Sequence, residues 1–230
     1  MNDMNRIRPF TSADRTACLE IYHANLAQSF VPPHYAAEFE EQLTDPATLT
    51  LVFTTDDRVP GCGSVTCLAD GTAAWLSYGL VHPDYQRRGI GSAMLLMRMS
   101  LLPVTPERPC AVYLSATRHS RSFFSKHGFA FRGAETDPFG NEFETYCLPL
   151  SAALVDSIRQ SLSRNNAVGI CCERLRPVST ASGGVFRPIE YCPIHSGPKN
   201  APFLVKSSLA RSRDDSDCIG TAKTLRRGLR

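Results

Sequence analysis

Beyond Thr11, the apolar residues Cys18, Ile21, Tyr22 and Leu26 recur at helical intervals, and Thr11 with Asp14 has the spacing of a capping box. Residues 12–28 are therefore predicted as an amphipathic helix. A second helix is expected over residues 34–43, after the Pro32-Pro33 break. The period then changes. Residues 48–54 are β-branched and aromatic, Asp56-Asp57 marks a turn, and residues 60–68 resume as a partner strand. Asp70-Gly71 closes a further turn before Ala74–Val81, a nearly continuous apolar strand. Gly79 within it signals a bulge or a close backbone approach. Trp75 and Tyr78 lie on this strand, and one of them is expected to face a cleft.

The strand stops at His82-Pro83-Asp84. The chain then passes through Gln86-Arg87-Arg88-Gly89-Ile90-Gly91-Ser92 into a helix with Ile90, Ala93, Met94, Met97 and Leu101 on one face. A buried strand over 111–115, a short helix over 118–127 ended by Gly128, and strands from Phe129 and over 143–150 complete the series. Two helices, a run of strands, then helix, strand, helix and two strands predict an α/β fold with a mixed sheet (α+β) rather than a strictly alternating one.

The strand, Gly-x-Gly loop and helix start carry the most chemistry. A first helical turn leaves backbone N–H groups unpaired at the positive end of the macrodipole, which suits phosphate. Gly89 and Gly91 let a diphosphate approach the backbone, and Arg87 and Arg88 add charge. No Gly-Lys-Ser/Thr follows, and the third glycine of the dinucleotide fingerprint is Met94, so neither ATP nor NAD is favoured.

Composition adds a boundary. The chain has 230 residues, 43% of them apolar and 20% charged, enough for one domain and a remainder. Residues 1–150 hold 12 Lys and Arg against 16 Asp and Glu; residues 151–230 hold 13 against 6. The second part is basic and Ser/Gly/Pro-rich. A boundary is placed near residue 150, with a disordered tail carrying one short helix at about 151–162. Its basic end does not favour nucleic acid over a solvated tail. Cys171, Cys172, Cys192 and His195 lack Cys-x2-Cys spacing, so no metal is expected. The run from Ala93 to Val104 is interrupted by Arg98 and is too short to span a bilayer. No export signal is evident at the N-terminus, so a cytoplasmic address and reduced cysteines are expected.

At Gln86–Gly91 the chain resembles the GNAT superfamily of acyl-CoA-dependent N-acetyltransferases, whose signature is Gln/Arg-x-x-Gly-x-Gly/Ala after a bulged strand. Ala116–Phe129 is similar to a second family segment, with Phe123, Lys126, Gly128 and Phe129 in place. The resemblance spans residues 5–150. It implies the GNAT acyl-CoA N-acyltransferase fold and transfer of an acetyl group from acetyl-CoA, a co-substrate, to a primary amine in a direct ternary complex. The acceptor is a small molecule or a protein, and homodimerisation is left open.

Carried over by position, the resemblance implies that the amides of Arg87, Arg88, Gly89, Ile90, Gly91 and Ser92, with Gln86, hold the coenzyme diphosphate. Pantetheine would pair along Leu80, Val81 and His82, with Thr117 nearby, and the Leu80 amide would face the thioester carbonyl. Phe124 stands where most members have a tyrosine that protonates the leaving thiolate, which leaves Ser120, His119, His127 or water for that role. No carboxylate lies in 73–82, so the base is open among Tyr78, His82, His34 and a water chain. Residues 28–45, with Glu38 and Glu41, form the expected acceptor wall. The rival reading, raised by Phe124, is a non-catalytic acyl-CoA-binding regulator.

Overall fold

In the computed structural model, residues 5–68 and 71–164 are described, together with the backbone of residues 169 and 170. Alternating Arg6, Ile7, Arg8 and Pro9 form β1 (Arg6–Pro9), a strand that the polar N-terminus did not announce; Ile7 is fully buried. A 3-10 turn over Ser12–Asp14 leads into α1 (Arg15–Leu26). Asp14 anchors that entry, accepting from the Thr11 amide at 2.8 Å and from both Arg8 terminal nitrogens at 2.7 Å. A second 3-10 turn over Pro33–Tyr35 starts α2 (Ala36–Thr44), with proline at its first position, where its missing N–H costs nothing.

Then come β2 (Leu49–Thr55), β3 (Arg58–Cys67), β4 (Ala73–Val81), α3 (Ile90–Ser100), β5 (Cys110–Ala116), α4 (Arg121–Lys126), β6 (Ala130–Thr136), β7 (Glu142–Leu150), α5 (Ala152–Arg164) and the two-residue β8 (Gly169–Ile170). The strand order is β6-β7-β5-β4-β3-β2-β1-β8. Neighbours are antiparallel except for β4 with β5 and β1 with β8. The mixed sheet expected from the order of elements is thus present, with α3 as the crossover that a parallel pair requires.

Each face of the sheet has its own core. Ile7, Leu51, Leu76, Val112 and Leu114 pack under α3 and α5, where Met94, Met97 and Met99 are all buried. Val52, Cys62 and Leu80 pack on the other face against Cys18, Ile21, Tyr22 and Phe39 of α1 and α2. The helix expected after residue 150 is α5, which buries Val155, Ile158 and Leu162 in the α3-side core. The remaining tail, including Cys171, Cys172, Cys192, His195 and the basic end, lies outside the described residues.

Two features of β4 position the site. Its parallel pairing with β5 runs only from Ala73–Leu76 to Ala111–Leu114; beyond that the strands part. On its other edge, Cys62 faces Leu80 and Ser64 faces Ser77, so β4 takes three steps where β3 takes two. This is a bulge at the place Gly79 suggested. Tyr78 adopts φ +43° within it. The extra residue also breaks the alternation. Trp75 and Tyr78, three apart, would face opposite ways on a regular strand, but here both border the cleft.

Candidate functional site

The gap between β4 and β5 opens into a cleft of about 1000 Å³. One end is the loop before α3. Arg87 at φ +62° and Gly89 at φ +84° turn it twice through the left-handed region, and Gly89 caps the helix. The first outward-to-inward bond of α3 is donated by Ala93 to the Gly89 carbonyl at 3.0 Å. Among the described residues, the amides of residues 87–92 have no backbone carbonyl partner, and so form a concave row of donors at a helix start. Gln86 fastens this loop to the end of β4, donating from Nε2 to the Val81 carbonyl at 3.2 Å; Asn25 Nδ2 donates to the same oxygen at 3.2 Å.

The residues expected to act at this end divide. Gln86, Arg87, Gly89, Gly91, Ser92 and Thr117 all border the cleft. Arg88 does not; its guanidinium lies 5.1 Å from the centre of the Tyr85 ring. The Ile90 side chain is buried in the core against Gly61. The His82 ring faces Tyr85 and lines a separate polar hollow. Its amide donates to the Pro60 carbonyl at 2.8 Å and its own carbonyl accepts from Tyr85 at 2.8 Å.

The bond from the His82 amide to Pro60 sets the register of the strand. Since the His82 amide turns toward β3, Leu80 two residues back turns its amide the same way, opposite Cys62. Val81, whose carbonyl accepts from Gln86 and Asn25, presents its amide to the gap. The Leu80 side chain is buried in the α1–α2 core.

At the other end the wall is acidic. Tyr35, Glu38, Glu41, Gln42 and Asp45 border the cleft from α2 and its flanks. Tyr78, turned toward α2 by the bulge, donates its hydroxyl to Glu38 Oε1 at 3.1 Å and lies against Phe39 at 4.9 Å between ring centres. Burial raises the Glu38 carboxyl above its usual 4.5; the Tyr78 hydrogen bond opposes this and Glu41 adds to it. Burial also lifts the Tyr78 phenol far above its usual range, with Glu38 contributing, so at neutral pH Tyr78 is a donor and Glu38 the group able to exchange a proton. A search of β4 for a carboxylate missed this group, because Glu38 reaches Tyr78 from a helix forty residues earlier. His34 lies away from the cleft, stacked on Phe139 at 4.3 Å.

The middle of the cleft carries hydroxyls and imidazoles. Thr117 Oγ1 is buried with no hydrogen-bond partner among the described residues, a vacancy in donors and acceptors that a bound ligand can fill. Ser120 and His119 border the same space. His127 Nδ1 lies 2.8 Å from the Phe123 carbonyl, which only accepts. In the neutral ring Nδ1 therefore donates and Nε2 accepts from Ser92 Oγ at 3.1 Å. Phe124, in the position of the usual tyrosine, packs on Phe129 and Tyr146 at 5.9 Å between ring centres. No group of three or more His, Cys, Asp or Glu among the described residues is arranged to hold a metal, and none of their helices is long and apolar enough to cross a membrane.

A parted pair of parallel strands beside a bulge, with a row of amides at one end, defines the class: the fold is that of the GNAT acetyltransferases. Residues 46–130 match the family described as the acetyltransferase (GNAT) domain. Solved structures agree in fold. A GNAT-family protein from Desulfovibrio desulfuricans is 19% identical with a TM-score of 0.52, covering 63% of this chain and 98% of that one. The ribosomal-protein-S18-alanine N-acetyltransferase of Escherichia coli is 21% identical with a TM-score of 0.50, covering 64% and 95%. An aminoglycoside 6'-N-acetyltransferase complexed with coenzyme A is 13% identical with a TM-score of 0.51, covering 62% and 96%. No curated protein matches the sequence.

Proposed function

We propose that this protein transfers an acetyl group from acetyl-CoA to a primary amine in a direct ternary complex. The observation that carries the reading is the continuity of one cleft from the amide row of residues 87–92, through the β4–β5 gap, to the acidic wall on α2. The two ends differ in charge. Arg87 and Lys126 border the loop end, which suits a diphosphate, while Glu38, Glu41 and Asp45 border the far end, which suits a cationic amine.

The residues fit the coenzyme. The amides of residues 87–92 would hold its diphosphate, Val81 would donate to the pantetheine arm, and the unpartnered Thr117 Oγ1 supplies a further polar contact. Because the Leu80 amide turns toward β3, we assign the carbonyl-binding role to the neighbouring Gly79, whose amide would stabilise the negative charge gathering on the thioester oxygen. One such donor contributes about 3 kcal/mol in other acyl-transfer sites.

Glu38 takes the proton from the amine, its raised affinity for protons bringing it closer to the range a base needs. The nitrogen, now neutral, attacks the carbonyl carbon, the C–N bond forms, the C–S bond breaks, and the second proton that the nitrogen sheds is matched by one taken up by the departing thiolate. Phe124 cannot supply that proton; Ser120 at the cleft wall or water does. A thiol with a pKa near 8.5 leaves tolerably without a strong acid.

Two structural relatives are named for an alanine of ribosomal protein S18 and for aminoglycosides. The acidic wall supports a cationic amine as the acceptor here. Release of free thiol from acetyl-CoA with a panel of diamines, aminoglycosides and peptides tests the reading. Amine-dependent release supports the enzyme, whereas coenzyme binding without release for any amine supports the regulator.

A further inference from the structure

Arg98 is an anomaly in α3. The helix is otherwise built from Met, Leu, Ile and small residues, yet it carries a guanidinium that is only 4% exposed. Burying a charge is costly unless it is paired, and among the described residues Arg98 has no carboxylate partner. Its contacts are carbonyls. Nε donates to the Met94 oxygen at 3.2 Å, and Nη1 donates to Ser64 and Ser77 at 3.1 and 3.3 Å, on the two sides of the bulge. Burial lowers the group's pKa to about 10, which leaves it charged at neutral pH.

Nη2 makes no hydrogen bond among the described residues, and Arg98 lines the cleft with Met94, Leu114 and Gly79. A side chain at Gly79 would put its Cβ 2.7 Å from Nη2, and one at Gly63 would meet Cζ at 3.0 Å. The two glycines thus open the space in which the guanidinium sits, directly beneath the bulge of β4. Holding the bulge together needs only neutral donors. A full charge with a pair of N–H groups to spare, placed at the acyl end of the cleft, is matched by an anionic oxygen ligand.

We infer that Arg98 lets the donor end of the cleft also take CoA thioesters whose acyl chain ends in a carboxylate, in preference to uncharged chains of the same length. The inference rests on the proposed coenzyme site. With the thioester carbonyl at the Gly79 amide, the acyl chain continues over the missing Gly79 side chain, and a terminal carboxylate meets Nη2.

Calorimetric titration of the full chain with free CoA, acetyl-CoA, butyryl-CoA and succinyl-CoA tests this, since butyryl and succinyl have the same carbon count and differ in the terminal carboxylate. The expected result is succinyl-CoA binding about tenfold tighter than butyryl-CoA, the ratio that a charge-assisted bond of modest strength gives. Arg98→Met should bring the two together while free CoA binds as before; a purely structural arginine would leave the ratio untouched. Should that variant fail to fold, Arg98→Lys, which keeps the charge and moves the donors, should lower the ratio without abolishing it. Equal or weaker binding of succinyl-CoA to the native protein overturns the inference. Failure of free CoA itself to bind overturns the coenzyme site, and with it this assignment.

Discussion

Tyr78 donates to Glu38 across the acceptor end of the cleft at 3.1 Å, and the bond exists because a bulge has turned Tyr78 through a left-handed backbone conformation toward α2. The carboxylate so held carries a pKa raised by burial. Glu38→Gln should lower kcat by about 10²–10⁴-fold, the usual worth of a positioned base. In the native protein the rate should rise with pH as Glu38 deprotonates, with a midpoint above 4.5, and this limb should vanish in the variant. A change in KM for cationic amines with kcat unaltered would instead make Glu38 an electrostatic anchor.

The β6–β7 turn is strapped to the start of α2. Tyr35 donates to Asp137 Oδ2 at 2.7 Å, and Asp137 also accepts from the amides of Phe139 and Asn141 and from Asn141 Nδ2, at 2.8 to 2.9 Å. Burial works against this carboxylate, but the bonds from Asn141 and Tyr35 outweigh it and hold the pKa below 3.8. A carboxyl depressed on folding contributes stability above its unfolded pKa and loses it as pH falls through the folded one. Tyr35→Phe should cost about 1–2 kcal/mol at pH 7 in a denaturant melt, and less at pH 3.

Gly79→Ala should destabilise the protein by about 1–3 kcal/mol, as crowding of a packed site does, because its Cβ would sit 2.7 Å from Arg98 Nη2. Combining it with Arg98→Met should recover part of the loss. Additive losses in the double-mutant cycle would show that the two sites do not touch.

Much of this was legible in the chain. Two glycines before a helix alone mark only a tight turn; the loop from Gln86 to Ser92 stands out because the whole Gln86–Gly91 pattern is joined by the segment Ala116–Phe129, and Gly79 correctly marks the bulge. What escaped were properties of pairing and burial. β1 has only four residues, two of them Arg6 and Arg8, and is a strand because β2 offers it an edge. That the Leu80 amide turns toward β3 depends on the register with Pro60 and Cys62, which no single strand encodes. Glu38 joins Tyr78 only in the folded chain. Arg98 looked like an interruption of an apolar run, and only the glycines on two other strands reveal the space made for it.

The central claim is that the loop before α3 holds a CoA diphosphate on backbone amides. Calorimetric titration of acetyl-CoA into the full chain, beside Gly89→Glu/Gly91→Glu, tests it most directly. Gly89 sits at φ +84° and Gly91 faces Phe123 and Val81 at the cleft wall, so two carboxylates there both strain and repel. The native protein should bind, and binding should be lost in the variant while its circular dichroism still shows a folded chain. Binding that survives both substitutions, or no binding at millimolar ligand by the folded native protein, would contradict it.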